Sequence, residues 1–183
     1  MSKLLKKILS AAIFPAALMI VSKVLGMALA NRIFDLGWSV QSNTTGLFSI
    51  QILYPDRQSA IQCNSYSNLF MITCLLIGVG VTLFQGYFLH SSHQNPKVLI
   101  KMLKFDFLVW LSDTPTIFPN MAVWLAFLWT GTVICITQSL QDFTYPWISV
   151  FAIVASIVVT WLGVRDLERE LDTILPKNGK LNI

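Results

Sequence analysis

A charge inside an apolar run is the first place to look for chemistry, and Lys23 is such a charge. At a helix centre in lipid it would cost about 2.5–3.5 kcal/mol on insertion scales, which makes it a functional candidate by default. Three readings compete. The long stem can snorkel its ammonium outward; the residue can belong to the cleavage region of a leader peptide; or it can be a buried functional lysine. Arg32 and Asp35, spaced i, i+3, are placed to pair locally nearby. His90 and His93 share the same spacing, but a metal needs at least a third ligand. Only Asp106 and Asp113 are acidic in that loop, so a polar helix end is the plainer reading. Cys63, Cys74 and Cys135 read as small apolar residues, with a disulfide among them left open. Asn43-Thr44-Thr45 matches the glycosylation acceptor pattern, a short one that recurs by chance. No Ser/His/Asp order, phosphate-binding glycine loop or paired carboxylate emerges. No catalytic residue, metal or cofactor is therefore expected.

These residues sit in an unusually apolar chain. Of 183 residues, 55% are hydrophobic and 12% charged, against about 25% charged in a soluble domain. That excludes a disordered chain and argues against an ordinary water-soluble globule. Crossing the hydrocarbon layer takes about 20 apolar residues at about 1.5 Å each. Four runs come near that, at about 8–34, 69–89, 116–137 and 147–164. They are continuously apolar rather than alternating, so helices are expected and not barrel strands. Pro115 and Pro146 fit first turns, Asp113 can cap the third helix, and Tyr145 and Trp147 suit an interface. Pro15 falls inside the first run, where it should bend the helix or mark its early part.

The expected architecture is all-α: a single membrane domain over 1–183, with four transmembrane helices and one short in-plane amphipathic helix. The in-plane helix is expected at about 97–111. Lys97, Lys101 and Lys104 share one face there, largely opposite Leu99, Ile100, Leu103, Phe107, Trp110 and Leu111. Its basic side suits anionic headgroups; a connector packed beneath the bundle is the equal alternative. The outer loop is expected over about 35–68, with β-like alternation across 47–54. In the tail, about 165–183, Leu167, Leu171, Ile174 and Leu175 should prolong the fourth helix until Pro176.

Lys and Arg collect on cytoplasmic flanks. Lys3, Lys6, Lys7, Lys97, Lys101, Lys104, Arg165, Arg169, Lys177 and Lys180 all fall on one side of a four-span topology, out of 13 basic residues. Both termini are thus expected in the cytoplasm of a multi-pass protein, most simply one of the cell membrane. The rival is a cleaved leader over residues 1–30, basic at Lys3–Lys7 and ending at Ala28-Leu29-Ala30. It would leave three spans. The net charge of +4 is explained by these flanks, so nucleic acid is not an expected partner.

Helices in lipid associate through close packing of small residues. Cys74, Gly78, Thr82 and Gly86 repeat every fourth residue, as do Ser22, Gly26 and Ala30. Weaker stripes run through Ala122, Ala126 and Thr130, and through Ala152, Ser156 and Thr160. Together they favour a compact bundle. The leading functional reading is a non-enzymatic assembly subunit or scaffold, whose partners are the lipid bilayer and other membrane proteins or further copies of the chain. A small transporter or oligomeric channel comes second, using Lys23 or the Gly78–Gly86 face. No acidic residue lies within a span, which weakens proton coupling. A lipid-modifying enzyme using His90, His93, Asp106 or Asp113 comes last.

Overall fold

A computed structural model describes residues 3–42, 50–88 and 114–174, with side-chain surroundings over 11–39, 52–85 and 119–168. Four helices dominate: α1 (Lys3–Phe34), α2 (Arg57–Phe88), α3 (Thr114–Leu140) and α4 (Pro146–Ile174). Between α1 and α2 stands an antiparallel hairpin, β1 (Ser39–Ser42) and β2 (Ile50–Leu53), which pairs Ser39 with Leu53 and Ser42 with Ile50. All four helices contain a stretch long and apolar enough to cross a membrane: Ala11–Phe34, Arg57–Gln85, Pro119–Leu140 and Pro146–Glu168. This is consistent with a multi-pass membrane protein.

The helix ends follow from local chemistry. α1 stops where Asp35 takes a left-handed conformation (φ 49°) and the Leu36 amide bonds back to the Asn31 carbonyl. α3 stops in a Schellman turn. The Phe143 amide donates to the Gln138 carbonyl at 2.8 Å and the Asp142 amide to the Ser139 carbonyl at 3.1 Å, with Asp142 left-handed (φ 57°). α4 begins on Pro146, whose missing N–H costs nothing in a first turn. It runs to Ile174, short of Pro176, as its apolar stripe suggests. Pro15 is buried inside α1.

The largest departure from the sequence reading is at α2. The loop expected to reach residue 68 gives way to helix at Arg57, because Asp56 caps it: the Asp56 carboxylate accepts the Ser59 amide at 2.9 Å. The turns gained, 57–68, are rich in Asn, Ser and Gln. Composition alone suggests a solvated loop, yet Ser65, Ser67 and Asn68 are buried. Ser65 and Asn68 have polar partners on neighbouring helices and on the turn before α4, which offsets the cost of taking them out of water, while the Ser67 hydroxyl is buried without a partner among the described residues.

α2 packs against all three other helices. Its Met71, Ile72, Leu75 and Val79 meet Trp124, Leu128 and Cys135 of α3 and Ala152 of α4, with Leu18 and Met19 of α1 alongside. A second cluster, under the hairpin end, joins Ala30, Leu36 and Cys63 with Met27, Tyr54 and Tyr66. Two glycines permit the closest approaches. A Cβ on Gly26 would lie 2.8 Å from the Ser67 Cα, and one on Gly78 would overlap the Trp124 ring. The stripe Ala122, Ala126, Thr130 does not pack: all three are exposed. α3 turns its Trp124–Leu128–Thr132 face inward instead, because Gly78 leaves room for the indole and Ser156 bonds Thr132 at 2.8 Å.

A candidate polar site at the hairpin end of the bundle

Lys23 does not snorkel away. Its ammonium turns toward α2 and donates to Asn64 Oδ1 at 2.6 Å and to Asn68 Oδ1. The two asparagines, at i and i+4, share one face of α2. An ammonium can only donate, so both carboxamide oxygens must face it and both Nδ2 groups must face away. They meet the end of α3 and the turn after it. Asn64 Nδ2 donates to Gln138 Oε1 at 3.0 Å, to the Phe143 carbonyl at 2.9 Å and to Thr144 Oγ1 at 3.0 Å. Asn68 Nδ2 donates to Gln138 Oε1 at 2.6 Å and to Thr144 Oγ1 at 2.9 Å. One lysine thus sets the direction of a network joining α1, α2, α3 and the α3–α4 turn. Asn68 is fully buried and Thr144 nearly so.

Neighbouring bonds fasten the same end. The Tyr145 amide donates to Ser65 Oγ at 2.9 Å, the Cys63 thiol reaches the Met27 carbonyl at 3.6 Å, and Ser149 donates to the Cys135 carbonyl at 2.8 Å. Beside the network lies an open cleft of about 410 Å³, lined by Tyr54, Ala60, Asn64, Gln138, Gln141 and Phe143. Burial and a hydrogen bond with the Cys63 thiol both push the Tyr54 phenol well above its ordinary range, so it stays protonated.

Of the residues singled out by sequence, Lys23 lies in this network. Ser22, Gly26 and Ala30 are buried on the same side of α1, where Gly26 meets α2. Gly78 and Thr82 lie farther along α2, Gly78 against Trp124 and Thr82 buried with its hydroxyl on the Val79 carbonyl at 2.7 Å. Gly86 falls within α2, but its surroundings lie outside the described residues, as do Lys97, Lys101, Lys104, His90, His93, Asp106, Asp113 and the 97–111 segment. Cys63, Cys74 and Cys135 are free thiols. Among the described residues no group of three His, Cys, Asp or Glu side chains is placed to hold a metal. The sequence reading missed Asn64, Asn68, Gln138 and Thr144. The available signal was Pro55-Asp56 with Ser59 as a helix start, followed by Asn at i and i+4.

No protein-family model matches the chain, and no curated protein or solved structure is significantly similar to it.

Proposed function

We propose that the chain is a multi-pass membrane protein acting as an assembly subunit or scaffold, with both termini in the cytoplasm and the hairpin end outside. The observation that carries this is how its interior polar groups are used. Lys23, Asn64, Asn68, Gln138 and Thr144 bond to one another across helices, as do Thr132 and Ser156. Such bonds fix the relative placement of helices, which is what a scaffold needs. The perimeter remains apolar: Ile13, Phe14, Ile20, Val24, Ile33, Val150, Val154 and Trp161 all face outward, suiting lipid tails or the helices of a neighbour.

The test is purification of the full-length protein from its own membrane in mild detergent, followed by mass measurement of the intact assembly. A defined homo-oligomer or a constant companion protein supports the subunit reading. A monomer without companions overturns it. The second reading, a small transporter or channel, is favoured by the open cleft beside Lys23. Solute uptake into vesicles holding the pure protein, lost in Lys23→Met, would promote it over the first.

A further inference from the structure

We propose that the cleft lined by Asn64, Gln138 and Gln141, one side chain away from Lys23, binds a phosphate group, carried either by an acidic phospholipid headgroup or by free phosphate. Three observations meet here. First, the ammonium of Lys23 is held by two neutral carboxamides. They accept two of its three protons and supply no opposing charge. A cation set among helices in a low-dielectric layer gains more from a nearby anion than one in water does.

Second, the network has a direction. Lys23 forces the oxygens of Asn64 and Asn68 toward itself, their nitrogens toward Gln138, and so the Gln138 oxygen toward them. Gln138 Oε1 is engaged by both asparagines, and Thr144 Oγ1 approaches it at 3.5 Å. Its Nε2 takes no part in the network and has no partner among the described residues. Gln138 and Asn64 both line the cleft. Gln138, a residue of the cleft wall, thus keeps an N–H group to spare one carboxamide away from the Lys23 ammonium, which calls for a ligand rich in acceptors. The Gln141 carboxamide lines the same cleft, and a phosphate has the several oxygens to use more than one of these donors.

Third, the depth is right. Ala60 and Asn64 lie in the opening turns of α2, Gln138 in the last turn of α3, and Gln141 and Phe143 in the turn beyond. That places the cleft within about 10 Å of the helix ends, at 1.5 Å per residue, in the headgroup layer that flanks the hydrocarbon. Ala60 and Phe143 offer apolar contact to the glycerol side of a lipid. Asp142 is exposed beside the cleft, where water weakens its repulsion.

The experiment uses the full-length protein in a non-ionic detergent. Retention of phosphatidylglycerol is compared with that of diacylglycerol by native mass spectrometry. Thermal unfolding in sodium phosphate is compared with that in sodium chloride at equal ionic strength. The wild type should retain phosphatidylglycerol selectively, or melt higher in phosphate than in chloride. The first result assigns the group to a lipid and the second to the free ion. Gln138→Glu keeps an oxygen for the asparagines but turns a second, negative oxygen in place of Nε2. It should weaken the response about tenfold or abolish it, while leaving a cooperative melt no lower than the wild type, since it supplies Lys23 with an opposing charge. Lys23→Gln, which removes the charge and keeps a donor, should weaken it too. Equal retention of both lipids together with equal melting in both salts by the wild type overturns the proposal. So does undiminished selectivity in whichever of the two variants melts cooperatively.

Discussion

At the scale of single residues, the hairpin end of the bundle is governed by what happens when one member of a buried polar network is removed. A hydrogen bond to a charged group contributes about 1.5–3 kcal/mol, and a buried group left without its partner costs its full desolvation. Asn68 is fully buried and serves Lys23, Gln138 and Thr144 together. Asn68→Ala should therefore lower unfolding stability in detergent by about 2–3 kcal/mol. Lys23→Met removes the charge but leaves the Oδ1 atoms of Asn64 and Asn68 without their donor, so it too should be destabilising. The double variant should be less destabilised than the sum of the two, with a coupling of at least about 1 kcal/mol in denaturant titrations. Strictly additive losses would mean that the asparagine does not hold the lysine in solution.

Among the elements, the apolar stretches of all four helices can be read from the sequence because continuous runs of apolar residues have few other solutions in lipid. The start of α2 cannot be read that way. Asn64, Ser65 and Asn68 lower its hydropathy, and they are favourable there only because α1, α3 and the α3–α4 turn carry the matching groups. Single-chain patterning does not reveal partners so distant in sequence. The same limit explains why Lys23 is visible as a charge in need of compensation while its acceptors are not. It also explains why small-residue stripes locate Gly26 and Gly78 but mislead at Ala122, Ala126 and Thr130: smallness permits contact without requiring it. Substitution separates the two cases. Gly78→Leu must displace the Trp124 ring and Gly26→Ala must push the Ser67 backbone away, each costing about 1–3 kcal/mol by overpacking. Gly80 has open space around it, so Gly80→Ala should leave thermal unfolding unchanged or slightly improved. Equal melting of all three would place the α1–α2 and α2–α3 contacts elsewhere. The α2 start makes a separate prediction. Bonding to Ser59 holds the Asp56 carboxyl below its ordinary value. Its share of stability is therefore complete above the unfolded pKa and is lost as pH falls through the lower folded one. Asp56→Asn keeps a capping oxygen without titrating, so the small acid-range loss in the wild type should flatten in that variant.

For the whole molecule, the question is how the bundle is threaded. Only 17% of the most apolar 18-residue window of α1 is buried within the chain, against 39% of that of α2, so α1 is held chiefly by its Ser22–Gly26–Ala30 side and the Lys23 network. Its other faces need lipid or a neighbouring protein, and an aqueous location would leave them against water at about 25 cal/mol per Å². If all four candidate spans cross, both ends of the chain lie on one side, and the basic residues before the α1 span, between α2 and α3, and after the α4 span would place that side in the cytoplasm. If α1 were cleaved as a leader, Lys101 and Lys177 would still share a compartment, but Lys23 would be lost and Asn64 and Asn68 would have no cation to serve. Single cysteines in a background with Cys63, Cys74 and Cys135 replaced by Ala decide it. Gln141→Cys should react with an impermeant maleimide on intact cells, whereas Lys101→Cys and Lys177→Cys should react only after permeabilisation. Opposite behaviour of Lys101→Cys and Lys177→Cys would mean that α3 and α4 do not both cross. Intact mass of the mature chain then reports whether α1, and the network built on Lys23, remains in the working protein.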